Sequence, residues 1–498
     1  MGNSTTGSSS TNGSANNNSR SIRRLRIGSA AAIAGGIGVA FAANYYSHAQ
    51  HAYSHLPQSP FPVLISHPSF VVTRVDIGSD NDNKEHHVSG GGFRNPDASF
   101  RPNRDSFLVS FGRLMLFGDR MPPTPQPHEL PRVRTIDWTQ ADLKVRAAAV
   151  VDAVSSTSAL PIESGSIHLQ MPAQSQSQSP ASPVFALTWF GHAAFFLSTS
   201  AANILLDPCL SERCSPFSFA GPRRLILPPC EVSLLDIDVV VISHNHYDHL
   251  DIDVLKSLRA KNTNLLVFVP LGNKTLLLDA GFKASNIIEC DWWDSYNLQS
   301  RHNPHCHLQI SCTPSQHFSS RYLWDKNSTL WSSWHIQSTT TTTTAIASID
   351  ETENNSAASF DQTPAVLLKK SKSFFFGGDT GYRTVHTFAE EFDPSLPTCP
   401  AFRQVRARFG PVDIAALPIG AYSPRSLLSN VHCSPRDAVD IHRDLESRKS
   451  VAMHWGTFVL SREGVMEPPR ILRDVCEKIG VEFGKEFVVV DVGETIVV

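Results

Sequence analysis

The chain has 498 residues, more than one hydrophobic core usually supports, so we expect one large domain or two smaller ones with appended segments. Its composition is that of an ordinary globular protein, and a net charge of -3 gives no reason to expect a nucleic-acid partner. Nine cysteines occur without a C-x-x-C pair, which favours reduced, buried thiols over a disulfide framework.

Residues 1–48 are predicted to be a targeting and membrane-anchor segment. The first 75 residues contain no Asp or Glu, and a group of arginines precedes the uncharged stretch "IGSAAAIAGGIGVAFAA" at residues 27–43. As a helix this stretch is roughly 25 Å long, slightly short of a bilayer core. A Ser-rich, Arg-bearing, acid-free leader favours a mitochondrial address. A signal anchor for another endomembrane is the alternative, and "MGNSTT" also fits the myristoylation pattern. All three interpretations imply membrane association.

Residues 49–131 are rich in Pro, His, Gly and Asn and are predicted to be a partly ordered lead-in to a folded domain at residues 132–498. Two low-complexity inserts interrupt that domain, at about residues 170–183 and 338–363. The second contains "STTTTTT". Because both lack the apolar residues needed to join a core, we expect them to be surface loops.

Short apolar runs alternate with turns and amphipathic stretches through the rest of the domain. Strands are predicted, in chain order, at "FALTWFGHAAFFLS", "NILLDP", "IDVVVISH", "LLVFVP", "SFFFGGDTG", "VDIAALPIG", "SVAMHWGTF" and "KEFVVVDVGETIVV". Helical spacing of apolar residues predicts helices at "HLDIDVLKSLRA" and "SPRDAVDIHRDLESR". This succession predicts an α/β fold with mixed sheets.

One segment concentrates titratable side chains: "SHNHYDHLD", residues 243–251, follows a buried strand. In an extended chain His244 and His246 point to the same side, and Asp248 and His249 follow where the chain turns. Such a cluster is either a solvated polar loop or part of a metal site. Four convergent imidazole and carboxylate groups at a strand end favour the metal site, because divalent metals such as zinc need three or more such ligands.

Three later positions repeat the arrangement of an apolar strand followed by a polar residue at a turn. They are His317 in "CTPSQHFSS", Asp379 after "SFFFGG", and His454 after "SVAM". Each is weak evidence alone, since histidines are often structural and aspartates often cap turns. Together with the first cluster they make seven ligands, which suit two metal ions. Ligands without a thiolate suit zinc, although another divalent ion fits as well.

These seven residues resemble, position by position, the metal-ligand pattern of the metallo-β-lactamase superfamily. The resemblance implies an αββα sandwich with a dinuclear metal site along one edge of the sheets. It also implies that one zinc is bound by His244, His246 and His317, that the other is bound by Asp248, His249 and His454, and that Asp379 bridges the two.

The sequence around the ligands is similar to that of a narrower family, the N-acyl-phosphatidylethanolamine-hydrolysing phospholipases D. The similar stretches lie between residues 186 and 470 and include "LTWFGHAAFFL", "ECDWWD", "GGDTGY" and "LPIGAYSPR". This resemblance implies hydrolysis of N-acyl-phosphatidylethanolamine to phosphatidic acid and N-acylethanolamine. The nucleophile implied is a metal-bridging hydroxide, held by Asp379 and the other ligands, that attacks phosphorus. Family members are often dimeric, so a homodimer is expected.

Two further residues match the family's substrate contacts, namely Tyr247 and His432, although packing beside the site explains them as well. The chain also departs from the family pattern. Ser218 and Phe219 replace a common Gln-Tyr pair, which puts the head-group contacts in doubt, and Ser320 replaces a basic residue associated with bile-acid binding.

Two other functions stay open at this point. The first is a different hydrolase on the same scaffold, acting on a thioester or a lactone, because many chemistries share this fold. The second is a non-catalytic membrane scaffold, although such a protein has no need of seven metal ligands. A membrane partner fits the lipid hydrolase best, since its substrate stays in the bilayer.

Overall fold

We analysed a computed structural model of the chain, which describes residues 64–77, 84–102, 122, 125–142, 184–301, 304–322, 324–345 and 365–498. These residues belong to one compact unit, Ser59–Val498. The predicted anchor at residues 27–43 and the predicted insert at residues 170–183 lie outside the described residues. The domain boundaries inferred from the sequence therefore stay predictions.

The described residues form sixteen strands and seven helices. The strands are β1 Leu64–Ser66, β2 Phe70–Val75, β3 Ala186–Trp189, β4 Phe195–Ser198, β5 Asn203–Leu206, β6 Val239–Val241, β7 Leu266–Pro270, β8 Ile287–Cys290, β9 Ser295–Ser300, β10 Cys306–Thr313, β11 Ser333–Ala345, β12 Ala365–Phe376, β13 Ile414–Pro418, β14 Ser450–Met453, β15 Phe487–Val488 and β16 Thr495–Val497. The helices are α1 Trp138–Ala141, α2 Ile252–Lys261, α3 Lys274–Asp279, α4 Ala401–Phe409, α5 Arg425–Leu428, α6 Pro435–Asp444 and α7 Glu467–Ile479.

The strands form two mixed sheets. The larger has the order β1-β2-β9-β10-β11-β12-β13-β14-β15, and the smaller has the order β16-β3-β4-β5-β6-β7-β8. In the larger sheet β12 to β15 run parallel, and in the smaller β5 to β8 do so. The remaining neighbours in each sheet are antiparallel. The predicted α/β fold with mixed sheets is confirmed.

The two sheets pack face to face through aromatic side chains. Phe195 of β4 meets Phe376 of β12 with ring centroids 6.4 Å apart, and Phe268 of β7 meets Trp334 of β11 at 6.3 Å. On the outer face of the larger sheet, Phe375 packs edge to face against Phe402 of α4. Buried aromatic pairs of this kind contribute roughly 0.5–1.5 kcal/mol each beyond their burial.

Helices cover the outer faces of both sheets. Helix α2 buries Val254, Leu255 and Leu258 in the same apolar cluster as Val240 and Val267, which point away from the facing sheet. Side chains along β6 and β7 alternate between the two faces of the sheet, so one face packs against the helix and the other against the larger sheet. The layers are therefore helix, sheet, sheet and helix, which confirms the αββα sandwich.

The predicted lead-in contributes to the larger sheet. Strand β2 runs antiparallel to β9, with Val72 opposite Leu298, and both side chains are fully buried. At the other end of the chain, the predicted terminal strand is two short strands, β15 in the larger sheet and β16 in the smaller. The two ends of the described chain thus help to complete the sheets.

The threonine run departs from the sequence prediction. Residues 338–345 were expected in a surface loop, but they extend β11, which pairs with β12 residue by residue from Trp334 opposite Phe376 to Ala345 opposite Ala365. Low apolar content argues against a position in the core, but it does not exclude a strand. Threonine is β-branched and favours extended backbone, and a two-stranded ribbon needs only cross-strand hydrogen bonds. The rest of the predicted insert, residues 346–363, lies outside the described residues.

All nine cysteines are free thiols, eight of them buried. None of the helices in the described ranges combines the length and the apolar character that crossing a bilayer requires.

Candidate metal centre

The histidine-rich segment begins where β6 ends, in the middle of the smaller sheet. The three valines of β6 are completely buried, and the chain then turns through residues 243–251 before α2 starts. Asp251 caps α2, because its side chain accepts a hydrogen bond from the backbone N–H of Val254. A buried strand and a capped helix therefore hold the segment at both ends.

The other three predicted ligands come from the larger sheet. His317 follows β10, Asp379 follows β12 and His454 follows β14. Because the carboxyl ends of β6, β12 and β14 meet at one edge of the sandwich, these residues lie beside the segment at 243–251. The structure brings all seven predicted ligands together.

The seven side chains form two groups whose ligand atoms lie within 4.8 Å of one another. One group is His244, His246, His317 and Asp379; the other contains Asp248, His249 and His454 together with His192. Asp379 faces both groups, since its Oδ2 lies 3.7 Å from His317 Nε2 and 3.2 Å from His249 Nε2, and its Oδ1 lies 2.9 Å from His454 Nε2.

The ring nitrogens of the histidines face one another within the two groups. His244 Nε2 lies 2.8 Å from His246 Nδ1, and His249 Nε2 lies 3.3 Å from His454 Nε2. The buried Oδ1 of Asp379 lies 2.9 Å from His454 Nε2 but makes no well-aligned hydrogen bond among the described residues. Lone pairs that face one another in a buried site are stabilised by a shared cation, so this donor set fits metal ions.

Three of the histidines are oriented through their second ring nitrogen. His244 Nδ1 lies 2.8 Å from the Ser243 hydroxyl, His249 Nδ1 lies 2.7 Å from Asp207 Oδ2, and His317 Nδ1 lies 2.8 Å from the Val431 carbonyl oxygen. A partner at Nδ1 directs Nε2 toward the centre, as is usual for metal-binding histidines.

Asp207 binds both Ser243 and His249. Its Oδ1 accepts a hydrogen bond from the Ser243 backbone N–H at 2.7 Å, and its Oδ2 accepts from the Ser243 hydroxyl at 2.5 Å as well as from His249. Asp207 is completely buried at the carboxyl end of β5. One carboxylate therefore fixes the start of the ligand segment and one of its histidines.

Burial keeps three of the imidazoles neutral. It lowers the pKa of His246 to about 4 and that of His317 to about 3, and together with neighbouring histidines it lowers the pKa of His244 well below its ordinary value. Neutral imidazole is the form that binds metal, so near pH 7 these side chains need lose no proton to do so.

The carboxylates behave in the opposite way to ordinary buried acids. Burial alone would raise the pKa of Asp248 and Asp379, but His249 and other neighbouring histidines hold both well below the usual range. In return, although burial alone would lower it, the pKa of His454 rises to about 9, chiefly because of Asp379. The two carboxylates therefore stay ionised near neutral pH and pair with the neighbouring histidines, whose protons a bound cation would replace.

The backbone around Asp379 explains why glycine precedes it. Gly378 has φ of +55°, and a Cβ atom at this position would lie 2.6 Å from the Cβ of Ser243. Only glycine fits both the conformation and the contact. Gly378 therefore lets the backbone bring the Asp379 carboxylate close to the start of the ligand segment.

His192 was missed by the sequence reasoning about ligands. Its Nε2 lies 2.9 Å from Asp248 Oδ2, its ring centroid lies 4.0 Å from that of His454, and burial lowers its pKa to about 3. The signal was present in "WFGHAA", where His192 follows a glycine. It was overlooked because a lone histidine in a hairpin turn has no ligand spacing.

Arg321 was missed as well. Its guanidinium Nη1 donates to the backbone carbonyls of Asn245 and Leu250, which lie on either side of His246, Asp248 and His249. Its Cζ lies 3.9 Å from the ring centre of Tyr247. A partly buried arginine thus braces the ligand segment. It directly follows Ser320, where the sequence had suggested the loss of a basic residue.

The two predicted substrate contacts lie in different surroundings. His432 enters the centre, with Nδ1 3.8 Å from Asp379 Oδ2 and without a hydrogen bond among the described residues. Tyr247 is half-buried and packs against Cys209, Cys214 and Phe458 beside the centre.

Comparison with known proteins identifies the family. The model described as "Beta-lactamase superfamily domain" matches residues 202–368 and 341–455, together just over half of the chain. The "N-acyl-phosphatidylethanolamine-hydrolyzing phospholipase D 1" of Caenorhabditis elegans is 31% identical over 312 residues, which cover 62% of this chain and 74% of the relative.

Two further proteins resemble the chain less closely or over less of their length. The "N-acyl-phosphatidylethanolamine-hydrolyzing phospholipase D, mitochondrial" of Saccharomyces cerevisiae is 30% identical over 331 residues, which cover 66% of this chain but only 59% of the relative. A solved metallo hydrolase from Ignicoccus hospitalis is 21% identical with a TM-score of 0.39, covering 63% of this chain and 98% of the other. The chain therefore belongs to the β-lactamase superfamily as a metal-dependent hydrolase, and it is related in sequence to the N-acyl-phosphatidylethanolamine-hydrolyzing phospholipases D.

Proposed function

We propose that the protein is a zinc-dependent phospholipase D that hydrolyses N-acyl-phosphatidylethanolamine to N-acylethanolamine and phosphatidic acid. The observation that carries the proposal is that the seven ligand-type side chains form two groups that meet at Asp379. The choice of substrate is supported by the names of the worm and yeast relatives.

The ligand assignment follows from the two groups. His244, His246 and His317 would hold one zinc ion, Asp248, His249 and His454 would hold the other, and Asp379 would bridge them. When bound, the two ions supply a hydroxide nucleophile near neutral pH and neutralise charge on the phosphoryl oxygens. His192 would orient Asp248 through its 2.9 Å contact and need not be a ligand itself.

His432 is placed to contact the phosphodiester. Its side chain is 13% exposed, burial lowers its pKa to about 3, and its Nδ1 lies beside Asp379 without a hydrogen bond among the described residues. A neutral imidazole in this position can hydrogen-bond a phosphoryl oxygen or the departing oxygen of N-acylethanolamine. Tyr247, braced by Arg321, would instead form part of the entrance.

Two exposed aromatic pairs beside Tyr247 support a lipid substrate. Phe217 and Phe219 are 54% and 80% exposed, and Tyr322 and Trp324 stack in parallel with each 45% exposed. Cys214, three residues before the first pair, packs in the same cluster as Tyr247, and Arg321 over Tyr247 precedes the second pair. Aromatic side chains of this kind favour the interface of a bilayer.

We further propose that the protein acts at a mitochondrial membrane. The acid-free leader supports this location, as does the word "mitochondrial" in the name of the yeast relative. The alternative location is another endomembrane, reached through a signal anchor. We also propose that the protein is a homodimer.

The function is tested by incubating the purified full-length protein with vesicles that contain N-acyl-phosphatidylethanolamine. We expect N-acylethanolamine and phosphatidic acid in equal amounts by mass spectrometry, loss of activity with a chelator, and recovery with zinc. Two zinc ions per chain are expected by elemental analysis. Turnover of a soluble thioester or lactone, with none of the phospholipid, would show that the alternative hydrolase is correct.

The aromatic pairs make a separate prediction. The double substitution Phe219→Ser and Trp324→Ser should lower activity on vesicles about tenfold, equivalent to about 1.4 kcal/mol of membrane binding. Activity on a short-chain, monomeric analogue should stay within about twofold, because the metal centre is untouched. Vesicle sedimentation measures the binding directly.

Leu234→Ser is the matched control, since Leu234 is 63% exposed near the amino end of β6, opposite the centre. Equal losses on vesicles and on the monomeric analogue would contradict membrane docking.

A further inference from the structure

A segment outside the matched family region lies against the metal centre. Residues 93–101, called the strap below, precede the family match at residues 202–455 by about a hundred positions. Asn95 Nδ2 donates a hydrogen bond to the backbone carbonyl of His317 at 2.8 Å. Ser99, which is buried, donates its hydroxyl to Gln316 Oε1 at 2.6 Å. The strap thus contacts one metal ligand and the residue before it.

Gln316 extends this contact to the other side of the centre. While its Oε1 accepts from Ser99, its Nε2 donates to the Asn430 carbonyl at 3.0 Å. The next residue, Val431, supplies the carbonyl that orients His317, and His432 follows it. Gln316 is 2% exposed, so water cannot readily replace these partners.

The far end of the strap is joined to the same structure. The side chain of Asn430 donates to the Arg101 carbonyl at 3.2 Å, and the Thr384 hydroxyl donates to the Ser99 carbonyl at 2.7 Å. Thr384 lies five residues after Asp379 in the chain. The strap is therefore hydrogen-bonded to Thr384 and Asn430 as well as to Gln316 and His317.

The chain just before the strap is anchored on Asp291. This buried carboxylate lies 2.6 Å from Lys84 Nζ, 2.7 Å from His86 Nε2 and 2.9 Å from His87 Nε2. The ring of His86 stacks on Trp292 at 4.2 Å. Although two histidines and an aspartate also suit a metal, the ammonium group of Lys84 already satisfies the carboxylate, so this cluster serves as an anchor.

We propose that the strap is a positioning element of the metal centre, and that through Gln316 it sets the orientation of His317 and of His432. Groups that orient metal ligands from outside typically change metal affinity 10- to 100-fold when they are removed. The inference rests on the proposed metal centre and is independent of the lipid substrate. It gives the lead-in a role in the centre itself.

The test is zinc affinity, measured on the full-length protein by competition with a chromophoric chelator. Ser99→Ala and Asn95→Ala should each weaken zinc binding at the site assigned to His317 by about tenfold or more. With Co²⁺ in place of zinc, both variants should also change the visible absorption bands, which report ligand geometry and which a loss of stability alone would not alter.

Ser198→Ala is the matched control. Its hydroxyl is equally buried and donates to an amide oxygen, that of Asn203, at the same 2.6 Å, but in the hairpin between β4 and β5. This variant should keep zinc affinity within about twofold. Unchanged affinity and unchanged Co²⁺ bands in both strap variants would overturn the inference, as would an equal loss in Ser198→Ala. Failure of the unsubstituted protein to bind zinc would overturn the metal centre as well.

Discussion

Replacing Asp379 by asparagine should reduce hydrolysis of N-acyl-phosphatidylethanolamine at least ~100-fold. Asparagine has the same shape, so the tight turn at Gly378 and the packing against Ser243 are retained. The substitution removes the negative charge that lies 2.9 Å from His454 Nε2 and 3.2 Å from His249 Nε2, and with it the bridge between the two ligand groups. Product release, measured by mass spectrometry, and zinc content should fall together.

The matched control for this prediction is Asp413→Asn. Asp413 also accepts hydrogen bonds from a neighbouring strand, through the backbone N–H of Ser373 at 2.9 Å, but it lies at the start of β13, away from the centre. This variant should keep both zinc ions and full activity. If Asp379→Asn released as much product as the unsubstituted protein, the two-metal mechanism would be wrong.

Replacing Asp207 by asparagine should produce the second-largest effect, a loss of metal affinity of about 10- to 100-fold. The carboxylate holds His249 with its proton on Nδ1 and its lone pair on Nε2, facing the centre. An amide N–H at the same position would donate to Nδ1 and thereby move the ring proton to Nε2, where it opposes metal binding. The group that contains Asp248, His249 and His454 should lose its ion first.

Isothermal titration with zinc measures this loss, and circular dichroism establishes that the variant is folded. Asp238→Asn serves as the control, because Asp238 accepts a hydrogen bond from the Asn203 backbone N–H at 2.8 Å just before β6, at the end of the strand opposite the centre. Zinc affinity that is the same in Asp207→Asn and in the control would contradict the orienting role of Asp207.

Much of the centre could be predicted from the sequence because its ligands come in recognisable local patterns. Alternate residues of an extended segment point to one side, which joins His244 to His246. His317, Asp379 and His454 each come shortly after the end of a strand. The residues that support the ligands carry no such pattern. Asp207 and Arg321 look like ordinary loop residues until folding brings them to Ser243, His249 and the carbonyls of the ligand segment.

In the threonine run a clear sequence pattern led to a wrong prediction. Composition alone indicated that residues 338–345 could not join a core, which led to a loop prediction, whereas the backbone of a strand is satisfied by its neighbours and needs no apolar side chains. The lead-in was predicted to be partly ordered from its Gly and Pro content. Composition could not indicate that β2 enters the larger sheet or that the strap lies against Gln316 and His317.

The α/β class, the positions of the buried strands and the identity of seven ligand-type residues could be predicted from the sequence, because these depend on side-chain chemistry and on spacing along the chain. The folded structure was needed to see which ligands share a group, that Asp379 faces both groups, and that the strap lies against Gln316 and His317. Those properties depend on distances between residues that are tens to hundreds of positions apart, and such distances arise only when two sheets pack together.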